Sequence, residues 1–191
     1  MRVDPIEYED LEDEELREIF ADMYRNRGAD VSTLPNHYKV EAHFPRVMEH
    51  LLKAVETVKA EGDLEMELAQ KISVAVSMAN QCPYCTGVYC SLLNDEVGGE
   101  EMVREFQQAF EEGELSRREA DIIEFAVKMN DEPHTMTNSD FDALREEHGL
   151  MDRDFVQTLF IVNVVNGYNR VTNAFDCEME DVYHDSPWLG V

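Results

Sequence analysis

Apolar residues recur at three- and four-residue intervals along almost the whole chain, a period that favours helices and leaves little room for strands. The clearest run is Leu64, Leu68, Ile72, Ala75, Val76 and Ala79, one face of a helix that reaches Asn80 and Gln81. Ahead of it, Leu11, Leu16, Ile19, Phe20 and Met23 mark a helix over residues 11–25, and residues 30–35 read as a linker. Pro45 opens a helix with Val47, Leu51, Val55 and Val58 on one side, since proline suits a first helical turn. Gly62 and Asp63 end it, with Asp63 as the expected N-cap of the next. Pro83 starts a helix to about Leu93. Gly98 and Gly99 turn the chain into one carrying Met102, Phe106 and Phe110. Ser116 and Glu119 form a capping box before Ile122, Ile123, Phe125, Ala126 and Met129, and Pro133 stops that helix. Another starts over residues 137–140 and closes at Gly149; the last runs from near Asp152 to about Asp181. Its β-branched stretch, residues 160–165, sits inside a longer helical pattern and should be buried in the core or at a subunit contact. The expectation is an all-α single domain over residues 1–191, with 1–33 an acidic helical extension and 34–175 the core.

The chain carries 42 acidic against 16 basic side chains, a formal charge of -26. Such a surface repels nucleic acid and anionic membranes, so neither is an expected partner. With 43% hydrophobic residues and strong periodicity, the charge reads as a carboxylate coat on a folded halophilic protein rather than as disorder. In molar salt the Debye length is only ~3 Å, which screens the self-repulsion. Nothing resembles a signal peptide, and no apolar run approaches the ~20 residues of a membrane span, so a cytoplasmic location is expected.

Four cysteines are present: Cys82, Cys85, Cys90 and Cys177. A second C-x-x-C and an H-x3-H partner are both missing, so no structural metal and no cofactor are expected. Cys82-Pro83-Tyr84-Cys85 places two thiols at the start of a helix, where free N–H groups and the helix dipole stabilise a thiolate. That pairing suits dithiol–disulfide chemistry. Cys90 lies roughly 140° around the helix from Cys85 and reads as a packed core thiol; Cys177 reads as structural.

Asn80-Gln81-Cys82-Pro83-Tyr84-Cys85, behind its buried helix, resembles the alkylhydroperoxidase D-like proteins of the carboxymuconolactone decarboxylase superfamily, most closely their peroxidase-related branch. The resemblance spans residues 34–175. It includes residues 39–46 (Lys-Val-Glu-Ala-His-Phe-Pro-Arg), Pro133-His134 and Tyr168-Asn169-Arg170. It implies an all-helical homotrimer or homohexamer that reduces hydroperoxides at the expense of an unknown thiol reductant, with Cys85 attacking and Cys82 resolving. Those proteins carry a Glu twelve residues before the first cysteine and a His four after the second, as a proton relay. Here the two places hold Gln70 and Tyr89. Gln cannot take up a proton, and Tyr is a weak base at neutral pH. Peroxidase-type antioxidant chemistry is one reading; dithiol–disulfide exchange, redox sensing or a redox-silent role stand beside it.

His43 and His134 fall in matching segments and are candidate replacement bases, as are Glu65 and Glu67 ahead of Gln70. Asn163, Asn166, Arg170 and Asn173 form a polar ridge suited to a subunit contact. A faint echo links residues 70–74 with 157–161, 87 residues on; it sets Asn169 against Cys82 and Thr172 against Cys85.

Overall fold

The segment with the most continuous apolar pattern is also the most deeply buried. In a computed structural model, which describes residues 1–25 and 35–180, helix α4 (Met66–Ala79) runs through the centre. Leu68 to Gln70 and Ile72 to Ser77 are all buried in it. Around it pack α5 (Pro83–Val97), α7 (Arg117–Asp131) and α9 (Asp152–Phe175). Helix α6 (Glu100–Glu112) lies on α5, and α8 (Asn138–His148) on α7. The N-terminal part supplies α1 (Glu14–Arg25), α2 (Asn36–Glu41) and α3 (Pro45–Glu61), of which α2 and α3 rest on α9. The described residues contain no strand, so the fold is all-α as expected. No described helix is long and apolar enough to cross a membrane.

Two apolar clusters form the interior. The larger joins α4, α5, α7 and α9 through Ile72, Leu93, Ile122 and Val165. The smaller gathers Leu11, Phe20, Tyr38, Met48 and Leu52 beneath the N-terminal segment, and Tyr168 touches both. The chain start is tied to the end of α9: Arg2 donates from its backbone N–H to the Phe175 carbonyl at 2.7 Å and from its guanidinium to the Ala174 carbonyl at 2.8 Å.

Local signals decide most helix ends. Ser116 caps α7 by accepting from the Glu119 N–H, as expected. Gly98, Gly113 and Gly149 close their helices at φ of 70 to 75°, a region that glycine enters without a Cβ clash. Two expectations need correction. Asp63 does not cap α4; it pairs with Arg153 at 2.9 Å, and Glu65 holds the N-cap position. In addition, α9 stops at Phe175 because Asp176 takes φ 54°, which places Cys177 just beyond the helix. The short helix α2, residues 36–41, has no counterpart in the sequence pattern because it is too brief to carry a period. The expected linker at 30–35 and the chain end beyond residue 180 lie largely or wholly outside the described residues.

Candidate functional site

Cys82 is the N-cap of α5. Pro83 needs no hydrogen bond at the first helical position, and the Cys82 sulfur accepts the Cys85 N–H at 3.3 Å. The preceding residue, Gln81, sits at φ 52°, a conformation that costs a non-glycine residue energy; it turns the chain sharply from α4 into α5. Both sulfurs are then held against one hydroxyl of α9. Cys82 Sγ lies 3.0 Å and Cys85 Sγ 3.4 Å from Thr172 Oγ1. The two thiols are 1% and 3% exposed, and both are free.

An amide network braces this arrangement. Asn80 donates to Asn169 Oδ1 at 2.8 Å, Asn169 donates to Ser77 Oγ at 3.1 Å, and Asn130 donates to Asn80 Oδ1 at 2.8 Å. Asn169 also reaches the sulfurs. The result is an uneven pair. The Cys85 thiol, donating to Cys82, is the main influence that pulls the Cys82 pKa from 9.0 down to about 7; Thr172, the Cys85 N–H and Asn169 act in the same direction, against burial. Cys85, as donor beside that charge and deeply buried, is pushed up. Near pH 7 about half of the pairs have therefore lost one of their two protons, and in those the negative charge rests on Cys82.

The other expected site residues lie elsewhere or play different parts. Gln70 is buried, donates weakly to Met66 Sδ at 3.8 Å and leaves its Oε1 without a partner. Tyr89 is buried and lines a small cavity with Val55, Val58, Ser73 and Phe160. His43 faces the Asp4 carbonyl at 2.9 Å, and His134 is exposed in a 3-10 turn over Pro133–Thr135. Glu67 pairs with Lys71 at 2.7 Å, and Glu65 is exposed. No histidine or carboxylate hydrogen-bonds either sulfur among the described residues. Cys90 is a fully buried core thiol whose pKa burial raises to about 12; Cys177 is half-buried.

The spacing of the cysteines gave no hint of Thr172 or Asn169 as their neighbours. The one signal in the sequence was the 87-residue echo, whose second copy sets these two residues against Cys85 and Cys82. A second polar group also escaped sequence reading. Tyr84, between the cysteines, donates to Glu180 at 2.7 Å, while His37 Nδ1, Glu41 Oε2, Tyr168 Oη and Glu180 Oε2 are buried without hydrogen-bond partners. Elsewhere, Asp121, Glu147 and His148 bring ligand atoms within 4.8 Å of one another, but Arg117 already pairs with both carboxylates.

Fold and site together define a class: an all-α protein with a helix-start dithiol, built on the fold of the alkylhydroperoxidase AhpD core. A peroxidase-related protein from Ralstonia eutropha JMP134 with that core superposes with a TM-score of 0.81 at 23% identity, covering 95% of this chain and 93% of that one. A peroxidase-related protein from Silicibacter sp. TM1040 gives 0.78 at 22%, covering 97% and 92%. The debrominase Bmp8, solved with 2,3,4-tribromopyrrole, gives 0.75 at 19%, covering 95% and 92%. No protein-family model and no curated protein matches the sequence. At these identities the likeness establishes the shared fold.

Proposed function

We propose that this chain is a member of the alkylhydroperoxidase D-like proteins and acts as a dithiol peroxidase. In this reading Cys85 attacks a hydroperoxide, and the Cys82 thiolate does the work of the missing Glu and His relay. The observation that carries it is the geometry of the pair: both sulfurs lie against the Thr172 hydroxyl, at 3.0 and 3.4 Å, and the Cys82 sulfur accepts the Cys85 N–H. That setting pulls Cys82 down to about 7. A base is most useful when its pKa lies near the working pH. As Cys85 attacks the terminal peroxide oxygen, its proton passes to Cys82, which returns it to the departing alkoxide so that the alcohol leaves. Cys85 becomes a sulfenic acid; the Cys82 thiolate then displaces its hydroxyl, which takes a proton from solvent and leaves as water, and a disulfide remains. One hydroperoxide is reduced by two electrons from two thiols, and a thiol reductant restores the pair.

An apolar cleft of about 390 Å³ beside Tyr168 and Val171 favours an oxidant with an apolar body. A second reading, a redox-silent role, draws support from the near-complete burial of both sulfurs, since disulfide exchange and redox sensing need accessible thiols. A cytoplasmic setting, where thiol pools are kept reduced, suits either reading. Counting free thiols after one equivalent of cumene hydroperoxide should show the loss of two. Cys85→Ser should abolish consumption of the peroxide. Cys82→Ser should both block the disulfide and slow the first attack at neutral pH. A Cys85→Ser protein that still reduces peroxide would give the attack to Cys82 and refute the internal-base mechanism.

A further inference from the structure

We propose that the pocket walled by Asn80, Asn130, Asn166, Asn169, Arg170 and Asn173, against the turn that carries Cys82, binds the carboxylate of a low-molecular-weight thiol that reduces the Cys82–Cys85 disulfide. This rests on the dithiol reading and adds the class of the reductant.

The pocket has a volume of about 720 Å³, which suits a small molecule. Its lining is amide-rich, and its only carboxylate, Asp131, is held by the Asn130 amide at 2.7 Å. Arg170 has neither an ion pair nor a hydrogen bond among the described residues, and neither does the Asn166 side chain one helical turn before it. Among the described arginines, Arg46, Arg104, Arg117, Arg145 and Arg153 have carboxylate partners, and Arg2 and Arg17 donate to backbone carbonyls. Arg118 is also unpaired; both arginines are exposed, but Arg170 lines a pocket and Arg118 does not. A guanidinium beside the free Asn166 amide offers the donors that a carboxylate accepts.

The pocket also lies next to the chemistry. Asn169 belongs both to its wall and to the surroundings of the two sulfurs, and Asn173 donates to the Asn80 carbonyl at 3.3 Å. A thiol anchored by its carboxylate here presents its sulfur at the Asn80–Gln81 turn. Its thiolate attacks one sulfur of the disulfide to form a mixed disulfide. A second thiol releases the oxidised dimer, and two electrons and two protons restore the dithiol.

Two measurements test this. In the first, glutarate is titrated into the reduced protein by calorimetry at fixed ionic strength. It should bind to wild type, not to Arg170→Gln, and again in part to Arg170→Lys. This arm needs no disulfide, so it separates failure of the pocket from failure of the dithiol reading; no binding to wild type overturns the proposal. In the second, the oxidised protein is reduced by 3-mercaptopropionate, 2-mercaptoethanol or cysteamine, each rate scaled by that thiol's rate with a small disulfide. The net charge alone orders these cation first and anion last. The pocket should reverse that order, and Arg170→Gln should cut the preference for 3-mercaptopropionate over 2-mercaptoethanol on the order of tenfold. Cysteamine leading in both proteins would overturn the assignment. So would an Arg170 effect seen only in oxidation by a carboxylated hydroperoxide, which would give the carboxylate to the oxidant.

Discussion

The two flanks of α9 have opposite chemistry. One presents Asn166, Asn169, Arg170 and Asn173 to an amide-lined pocket; the other presents Val164, Gly167, Val171 and Phe175 to an apolar cleft closed by α2 and α3. The buried Thr172 between them holds both sulfurs. A helix with two specialised flanks can serve two partners of a redox cycle separately, a polar reductant on one side and an apolar oxidant on the other. The apolar flank is also open to solvent. Phe44, 74% exposed, Val47, 55% exposed, and Leu51 line the cleft itself, and Val156, Leu159 and Phe160 of α9 are exposed as well. Apolar side chains left open in such numbers suit a contact between copies, which the resemblance describes as a trimer or hexamer.

The largest effect should come from charging that flank. Phe44→Glu with Leu51→Glu should reduce a homotrimer or homohexamer to monomers in sedimentation at high salt, whereas Asn166→Asp on the polar flank should leave the mass unchanged. A monomeric wild type would remove the contact from the comparison altogether.

A smaller effect is expected at the centre. Thr172→Val keeps the shape and removes the hydroxyl that both sulfurs share. The Cys82 thiolate loses a donor, so its pKa should climb from about 7 by about one unit. The thiolate is the reactive form, so the alkylation rate at pH 7 should fall about fivefold, and the deficit should vanish above about pH 9. An unchanged pH profile would show that the hydroxyl does not tune the pair.

The smallest effect should come from rebuilding the family's relay. Gln70→Glu with Tyr89→His should change peroxide consumption by less than about threefold, well below the hundredfold or more that a positioned base often supplies. Gln70→Glu also puts a carboxylate where the amide oxygen already lacks a partner, so melting should occur at lower temperature. A hundredfold gain in steady-state rate would restore the relay and displace Cys82 as base.

Sequence and structure diverge where pairing is distant. The three- and four-residue period identified α4 and α9, because a buried helix must repeat its apolar face. It missed α2, whose six residues span less than two turns. Cys82 and Cys85 were legible because helix-start chemistry is local. Thr172 was not, because a threonine inside a helix looks the same whether it faces solvent, its own backbone or a sulfur 90 positions away. Asp176 misled for a related reason: an aspartate can continue a helix or take the left-handed turn, and here it takes the turn.

The single hydroxyl that serves both sulfurs has a consequence for synthesis. Cys85 leaves the ribosome 87 residues before Thr172. At ordinary translation rates that interval is roughly 5–20 s. Throughout it the nascent chain carries two cysteines whose final acidity awaits a helix not yet made. The share of the pair's acidity that Thr172 and Asn169 supply thus belongs to the finished polypeptide.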